Sequence, residues 1–568
     1  MVGVMDTCVL QQSGGPSLQE GCSGPKGSAA ALLESTLGPL EAAKPSPDTF
    51  TLGYTLPVPL LQMFKAQQNG WQIDAERVQR IVNTVRDNPR PLVLYLFSTH
   101  FSAHAPLEEA LARDPDNLAQ TRDGLLPVDQ YYGAPIYPWS VARTDNSLTQ
   151  RREEAMRAVL GALCQLPPKD LRKIRGVTLL GELHHLFPDF QVGMGFAPPY
   201  RITDYSRRSA QDFQRFLQEQ FHQISRLNRV LGAHYTDFND IQPPSRDIRS
   251  EPLQTYLEHI DAYAHGILPV AGWAFVPHAS PDNPPWIHVY RNGSLQGKTR
   301  ANQGRQDVLQ AKPELGNANT GWRLDLDYRQ WPAGVHRIDI FIESTPGRLT
   351  PLGTREVAIM DRQQSTPAPR PQAPLPASHI APEGMQGHID MPSQQAAFYY
   401  NPLVPLWHTF RERQVVRYLR HFNDVADASC LRATPRYTHQ IIPFTNPGWD
   451  ANKFAIDASL HPAGAMRLGV SLYGDATYGP GFPAWLRTTG QPVYGVTEFH
   501  PLKAMEGPEL AQTLAQHARQ GAAFVSFFLE PYWQGQRLER SHNPFAFDPQ
   551  NSQYGSQALY EAAKGLGR

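Results

Sequence analysis

The sequence has little of what marks membrane, nucleic-acid or nucleotide chemistry. An apolar run of the roughly 18 residues needed to span a bilayer is absent, so no hydrophobic membrane span is expected. No Lys/Arg-rich block stands out. The 568 residues carry 52 basic and 53 acidic side chains, for a formal net charge of −1. That balance predicts neither a nucleic-acid partner nor a polybasic membrane patch. Cysteine is scarce. Cys8, Cys22, Cys164 and Cys430 are scattered, with no CxxC pair and no zinc-type spacing, and they read as free or buried thiols. A Cys8–Cys22 bridge stays open as an alternative. No GxGxxG, Walker A or GxSxG sequence stands in a strand–turn–helix context, which argues against nucleotide binding and serine-hydrolase chemistry. Residues 1–35 lack the basic and apolar regions of a signal peptide. Their Gly/Ser-rich composition predicts disorder through about residue 47.

What is present is a core and a rhythm. Apolar residues make up 41% of the chain, enough for a barrel plus an accessory module. Residues 361–385, DRQQSTPAPRPQAPLPASHIAPEGM, are too rich in Pro, Ala and Ser for helix or strand and read as a semi-rigid linker. Before them, about residues 266–360, short aromatic and branched runs separated by turn signals predict an inserted β-sandwich. In the flanks, 48–265 and 386–568, continuous apolar strands alternate with helical patterns. Helices are expected around Ala75–Asp87, Leu107–Arg113, Gln150–Cys164, Trp407–Asn423 and Pro508–Gln520. About eight such units predict an α/β fold, a (β/α)₈ TIM barrel. Phe213, Phe216, Leu217, Phe221, Ile224, Leu227 and Leu231 form an apolar helical stripe expected to pack on the barrel, with Asp204 or Ser206 as N-cap.

Barrel enzymes carry their chemistry at the C-terminal ends of strands. Two strand-like runs end in a carboxylate there: VTLLGE at Glu182 and YGVTE at Glu498. Period-two alternation places Glu182 with Thr178 and Leu180, and Glu498 with Tyr494 and Val496. If those faces point inward, two carboxylates converge at the mouth. Glycosidic cleavage needs such a pair, one to protonate the leaving oxygen and one to attack or to activate water.

The segment Asp204–Asp247, DYSRRSAQDFQRFLQEQFHQISRLNRVLGAHYTDFNDIQPPSRD, resembles the stretch after the acid/base strand of family 42 β-galactosidases. That family belongs to the clan of retaining barrel glycosidases, in which the acid/base ends strand four and the nucleophile ends strand seven. The resemblance implies Glu182 as acid/base and Glu498 as nucleophile. It also implies an aromatic platform after strand eight, for which Tyr532 or Trp533 is the candidate. One position departs from the clan. The residue before the acid/base is usually Asn, and here it is Gly181.

Around this pair stand secondary candidates for sugar binding: His184, His500, Asp475, Tyr473, Trp533 and Glu530, the last also a rival carboxylate. Tyr478, Trp485, Trp449, Asn446, His185 and His100 are weaker candidates. Glu182, His184 and His185 match neither HExxH nor HxxEH spacing, so no metal is expected, and no organic cofactor. GWAF (Gly272–Phe275), HVYRNG and GNANTGW (Gly316–Trp322) resemble small Ig-like modules of bacterial surface and polysaccharide-related proteins. The expectation is a retaining glycosidase acting on a saccharide or polysaccharide, from a periplasmic or secreted setting that the substrate class implies. The alternative is a catalytically weak, glycosidase-like carbohydrate-binding or polysaccharide-assembly protein.

Overall fold

The structure is a computed structural model. It describes residues 1–4, 22, 27–41, 50–68, 70–98, 106–131, 134–190, 193–196, 198–277, 279, 283–442, 448–462, 464–530, 532–537 and 545–566. Eight parallel strands form a barrel. They are β1 (Val2–Val4), β2 (Tyr54–Pro59), β3 (Leu92–Phe97), β4 (Ile174–Leu180), β5 (Arg436–Tyr437, resuming at Gln440–Ile441), β6 (Met466–Tyr473), β7 (Tyr494–His500) and β8 (Ala522–Val525, resuming at Phe527–Leu529). Each pairs with its neighbour in chain order, and β1 closes the ring by pairing with both β2 and the second half of β8. Both faces of the strands are covered, so they read as unbroken apolar runs rather than alternating ones; β3 and β4 are buried almost throughout.

The first strand corrects the expectation of an unstructured segment through residue 47. Val2–Val4 is a barrel strand, and Ala30–Leu37 is a helix with Leu32, Leu33 and Leu37 fully buried. The Gly/Ser-rich composition hid both, because three residues suffice for a strand flanked on each side. The cysteine reading is also corrected. Cys164 and Cys430 form a disulfide with Cα atoms 5.7 Å apart, across 266 residues of sequence. Cys22 is disulfide-bonded too.

Between β4 and β5 the chain leaves the barrel. It first builds a cap that includes helices Arg207–Phe221 and Ile224–Leu231. Ser206 is the N-cap, accepting from the Ser209 amide at 3.2 Å. The expected single helix is broken at His222, whose φ is 58°. Its stripe does not pack on the strands. Phe213, Phe216, Leu217, Leu227 and Leu231 join Trp407 and Phe410 in a separate core.

The chain then forms a sandwich of two sheets. One holds Gln303–Gly304, Asn319–Asp327, Ile267–Phe275 and Gln386–Met391. The other holds Ser294–Arg300, Trp286–Arg291, Gly334–Thr345, Arg348–Ile359 and Ala396–Phe398. Trp322 and Tyr328 anchor its core. Residues 361–385 contain no helix or strand. They run along the sandwich as a strap, with backbone bonds from Val335 to Ala368, Ala373 to Asn292 and His379 to Leu349. Because Gln386–Met391 and Ala396–Phe398 return to the sandwich, the barrel resumes with helix Leu403–Asp427, the crossover into β5. Among the described residues no helix is long and apolar enough to cross a membrane.

Candidate active site

Both carboxylates reach the C-terminal end of the barrel by a local departure from regular strand geometry. β4 stops at Leu180. The next two backbone steps are left-handed, with φ of 65° at Leu180 and 79° at Gly181. Glycine enters that region without a Cβ penalty, which gives position 181 a conformational reason for its residue. Period-two alternation therefore does not extend to Glu182; the bend aims it.

Glu498 lies inside β7. Tyr494 of the same strand reaches outward, its hydroxyl 2.8 Å from His517 Nδ1 in the surrounding helix Gly507–Arg519. Simple alternation would send Glu498 the same way. However, Val496 pairs with Val470 and Glu498 with Ser471, leaving Thr497 as an extra residue. Such a bulge shifts the phase of the strand by one and re-aims the side chains beyond it. The two carboxylates do converge, but the bend at Gly181 and the bulge at Thr497 bring them together, not period-two alternation.

Around Glu498 three donors converge. His439 Nε2 donates to Oε1 at 3.0 Å, His500 Nε2 to Oε2 at 3.1 Å, and the Tyr473 hydroxyl to Oε2 at 2.9 Å. The same hydroxyl lies 3.4 Å from Glu182 Oε1, so it stands between the two carboxyl groups. His439 is stacked on buried Tyr95, ring centroids 4.7 Å apart, and His500 on Tyr473 at 5.0 Å. His500 Nδ1 lies 3.1 Å from the Phe545 carbonyl, which fixes the ring from its other side.

These surroundings drive the two carboxyl groups apart. Burial would raise Glu498, but the hydrogen bonds and charges of His439 and His500 outweigh it and hold the group well below the usual carboxylate range. Burial first, and the Glu498 charge second, push Glu182 up to about 8, against the pull of the Ser471 and Tyr473 hydroxyls. One proton-bearing and one ionised carboxyl is the arrangement that acid-plus-nucleophile chemistry requires. Glu182, His439 and Glu498 each bring one ligand atom within 4.8 Å of the others. A cation held there would compete with the proton on Glu182.

The site thus gathers Glu182, Glu498, Tyr473 and His500 from the sequence candidates, and adds His439 and Tyr95. The remaining candidates are held as follows. His184 is buried with its ring stacked on Phe190 at 5.5 Å and edge-on to Phe454 at 5.2 Å, and burial lowers it to about 4. His185 points its Nε2 at the Arg411 carbonyl, 3.2 Å away. Asp475 meets the sandwich at Gly304 and Asn319. Glu530 is buried directly after β8. The Tyr532 hydroxyl donates to Asp548 at 2.9 Å, and Trp533 packs against the main core. Tyr478 lies under the Lys503 ammonium, 3.9 Å from its ring centre. His100 and Asn446 lie outside the described residues.

His439 escaped the sequence reading because it sits in the middle of the apolar run YTHQIIPF. A titratable residue inside an apolar run, unlike one at its end, carries no mark of facing the barrel mouth. The strand pairs with β6 at Arg436 and Tyr437 and again at Gln440 and Ile441, so His439 stands in a two-residue break in the pairing that the sequence pattern does not mark.

No protein-family model and no curated protein matches the sequence. Among solved structures, the chain is similar to a β-galactosidase from the Antarctic haloarchaeon Halorubrum lacusprofundi. The identity is 11%, the TM-score 0.44, and the match covers 90% of this chain and 53% of that one. A β-galactosidase from Bacillus circulans sp. alkalophilus gives 10% identity, a TM-score of 0.43, and coverage of 90% and 50%. The catalytic domain of a β-amylase from Paenibacillus polymyxa gives 10%, 0.40, and 84% and 85%. The chain spans about half the length of the two β-galactosidases.

Proposed function

We propose that this protein is a glycoside hydrolase that cleaves β-glycosidic bonds of a saccharide or polysaccharide with retention of configuration. The observation that carries the reading is the pair Glu182 and Glu498, with carboxylate oxygens within 4.8 Å of one another, in surroundings that raise the pKa of Glu182 and lower that of Glu498. Retaining enzymes hold their carboxyl groups about 5–5.5 Å apart, whereas inverting ones leave about 6.5–9.5 Å for a water.

In the first step Glu498, ionised and oriented by His439, His500 and Tyr473, attacks the anomeric carbon. Glu182 gives its proton to the departing glycosidic oxygen. In the second step Glu182, now ionised, takes a proton from water as that water displaces Glu498 from the sugar carbon. Glu182 ends protonated again, with its pKa favouring the acid form. The family 42 resemblance around Asp204–Asp247 makes β-galactosides the first substrates to try. Two disulfide-bonded regions fit an oxidising compartment, periplasmic or extracellular.

Hydrolysis of aryl β-glycosides by the native chain, lost in Glu498→Ala and restored by azide, is the expected result. Turnover that persists in Glu498→Ala would refute the assignment. Gly181 favours a second reading, a saccharide-binding protein without turnover. There, binding would survive conversion of either glutamate to glutamine and no aryl glycoside would be cleaved.

A further inference from the structure

The sandwich and the barrel together line a half-open cavity of about 410 Å³, within the roughly 300–1,000 Å³ of small-molecule sites. Gln303, Arg323 and Asp325 line it from the sandwich. Trp449, Asp457 and Trp485 line it from the segments that follow β5 and β6. None of the groups around Glu498 lines it.

The two walls are tied. Arg323 donates from Nε to Asp325 Oδ1 at 2.7 Å and from Nη1 to the Trp449 carbonyl at 3.3 Å. The sandwich thus fixes the segment that carries one of the two indoles. The other, Trp485, leans on Phe482 with ring centres 5.8 Å apart. Both tryptophans are half-buried, and Asp325 and Asp457 are exposed at the rim.

Half-exposed indoles flanked by carboxylate, guanidinium and amide groups match the chemistry of a neutral pyranosyl unit. Its C–H face lies on an aromatic ring and its hydroxyls both donate and accept. Two carboxylates against one arginine already paired disfavour an anionic ligand. The cavity also opens at the catalytic end of the barrel. Gln440 Nε2 donates to the carbonyl of Leu183, the residue after Glu182, at 2.8 Å, and to Ser459 Oγ in the segment carrying Asp457 at 3.0 Å.

We infer that this cavity is a saccharide subsite built jointly by sandwich and barrel. It holds neutral pyranosyl units of the same chain that Glu182 and Glu498 cleave, and for the identity of its ligand it rests on that proposed function. The inserted sandwich is then part of the substrate groove.

The test uses the full chain carrying Glu498→Gln, to prevent turnover, titrated calorimetrically with linear β-linked oligosaccharides of galactose and of glucose. Adding Trp485→Ala should weaken binding about tenfold, the loss of one aromatic anchor. Adding Asp325→Ala, at an exposed position that does not threaten the fold, should weaken it by a smaller factor in the same direction. Unchanged affinity in both double variants overturns the subsite, and if Trp485→Ala does not fold, Asp325→Ala decides. Absence of binding to any of these oligosaccharides overturns it as well. Glu498-dependent cleavage of aryl glycosides by the native chain shows separately whether the catalytic reading survives.

Discussion

Replacing Glu498 by glutamine removes the charge that faces Glu182 while keeping its shape. The carboxylate oxygens lie within 4.8 Å of one another. At that distance and an effective dielectric of about 20, two unit charges repel by about 3.5 kcal/mol, or about 2.5 pH units. The Glu182 carboxyl, pushed up to about 8 in the native protein by burial and by this charge, should therefore titrate about 2 units lower in Glu498→Gln. Carbon-13 NMR with glutamate labelled at the side-chain carboxyl follows the group directly, and Glu182→Gln identifies its signal. The kinetic counterpart follows from the sign of the shift. A raised acid keeps its proton below its pKa and loses it above, so kcat/KM of the native enzyme should hold through neutral pH and fall as pH rises through about 8. A Glu182 midpoint that does not move in Glu498→Gln would show that the two groups do not sense each other. A native midpoint in the ordinary glutamate range, about 4–5, would remove the basis for calling Glu182 the acid.

Two further predictions concern the surroundings. His439→Ala deletes a hydrogen bond to the ionised Glu498, of a kind that stabilises by about 1.5–3 kcal/mol. The Glu498 carboxyl should rise by about 1–2 units, and the acid side of the kcat/KM profile should move to higher pH with it; an unmoved acid limb sinks the role given to His439. Converting Cys164 and Cys430 to serine should lower unfolding stability by about 2–5 kcal/mol, read by urea denaturation, with turnover at room temperature close to native. An unchanged denaturation midpoint would mean the bridge does not constrain the unfolded chain.

Much of the barrel was legible because buried parallel strands and amphipathic helices leave strong patterns. The helix expected at Ala75–Asp87 spans those residues, with Asp74 accepting from the amides of Glu76 and Arg77. The expected Pro508–Gln520 helix runs Gly507–Arg519. What failed did so for local reasons. Val2–Val4 is too short to show a period. The strap at 361–385 looks like a linker by composition, and only the backbone bonds to Asn292, Val335 and Leu349 bind it to the sandwich. The site was half legible. A carboxylate at the end of an apolar run is visible in a sequence. The left-handed bend at Gly181, the bulge at Thr497 and the reach of His439 across the mouth depend on register and backbone geometry, which no single-chain pattern encodes.

The Cys164–Cys430 bridge encloses the entire excursion between β4 and β5. Cys164 caps the helix before β4 and Cys430 follows the helix before β5, so cap and sandwich hang from one covalent staple. β4 and β5 are joined by only two paired positions, Val177 with Arg436 and Thr178 with Tyr437. That seam, which lies next to Glu182, is as short as the one between β1 and β2. The bridge joins the helix layer behind that seam, so any shear that would part β4 from β5 must also strain a covalent bond.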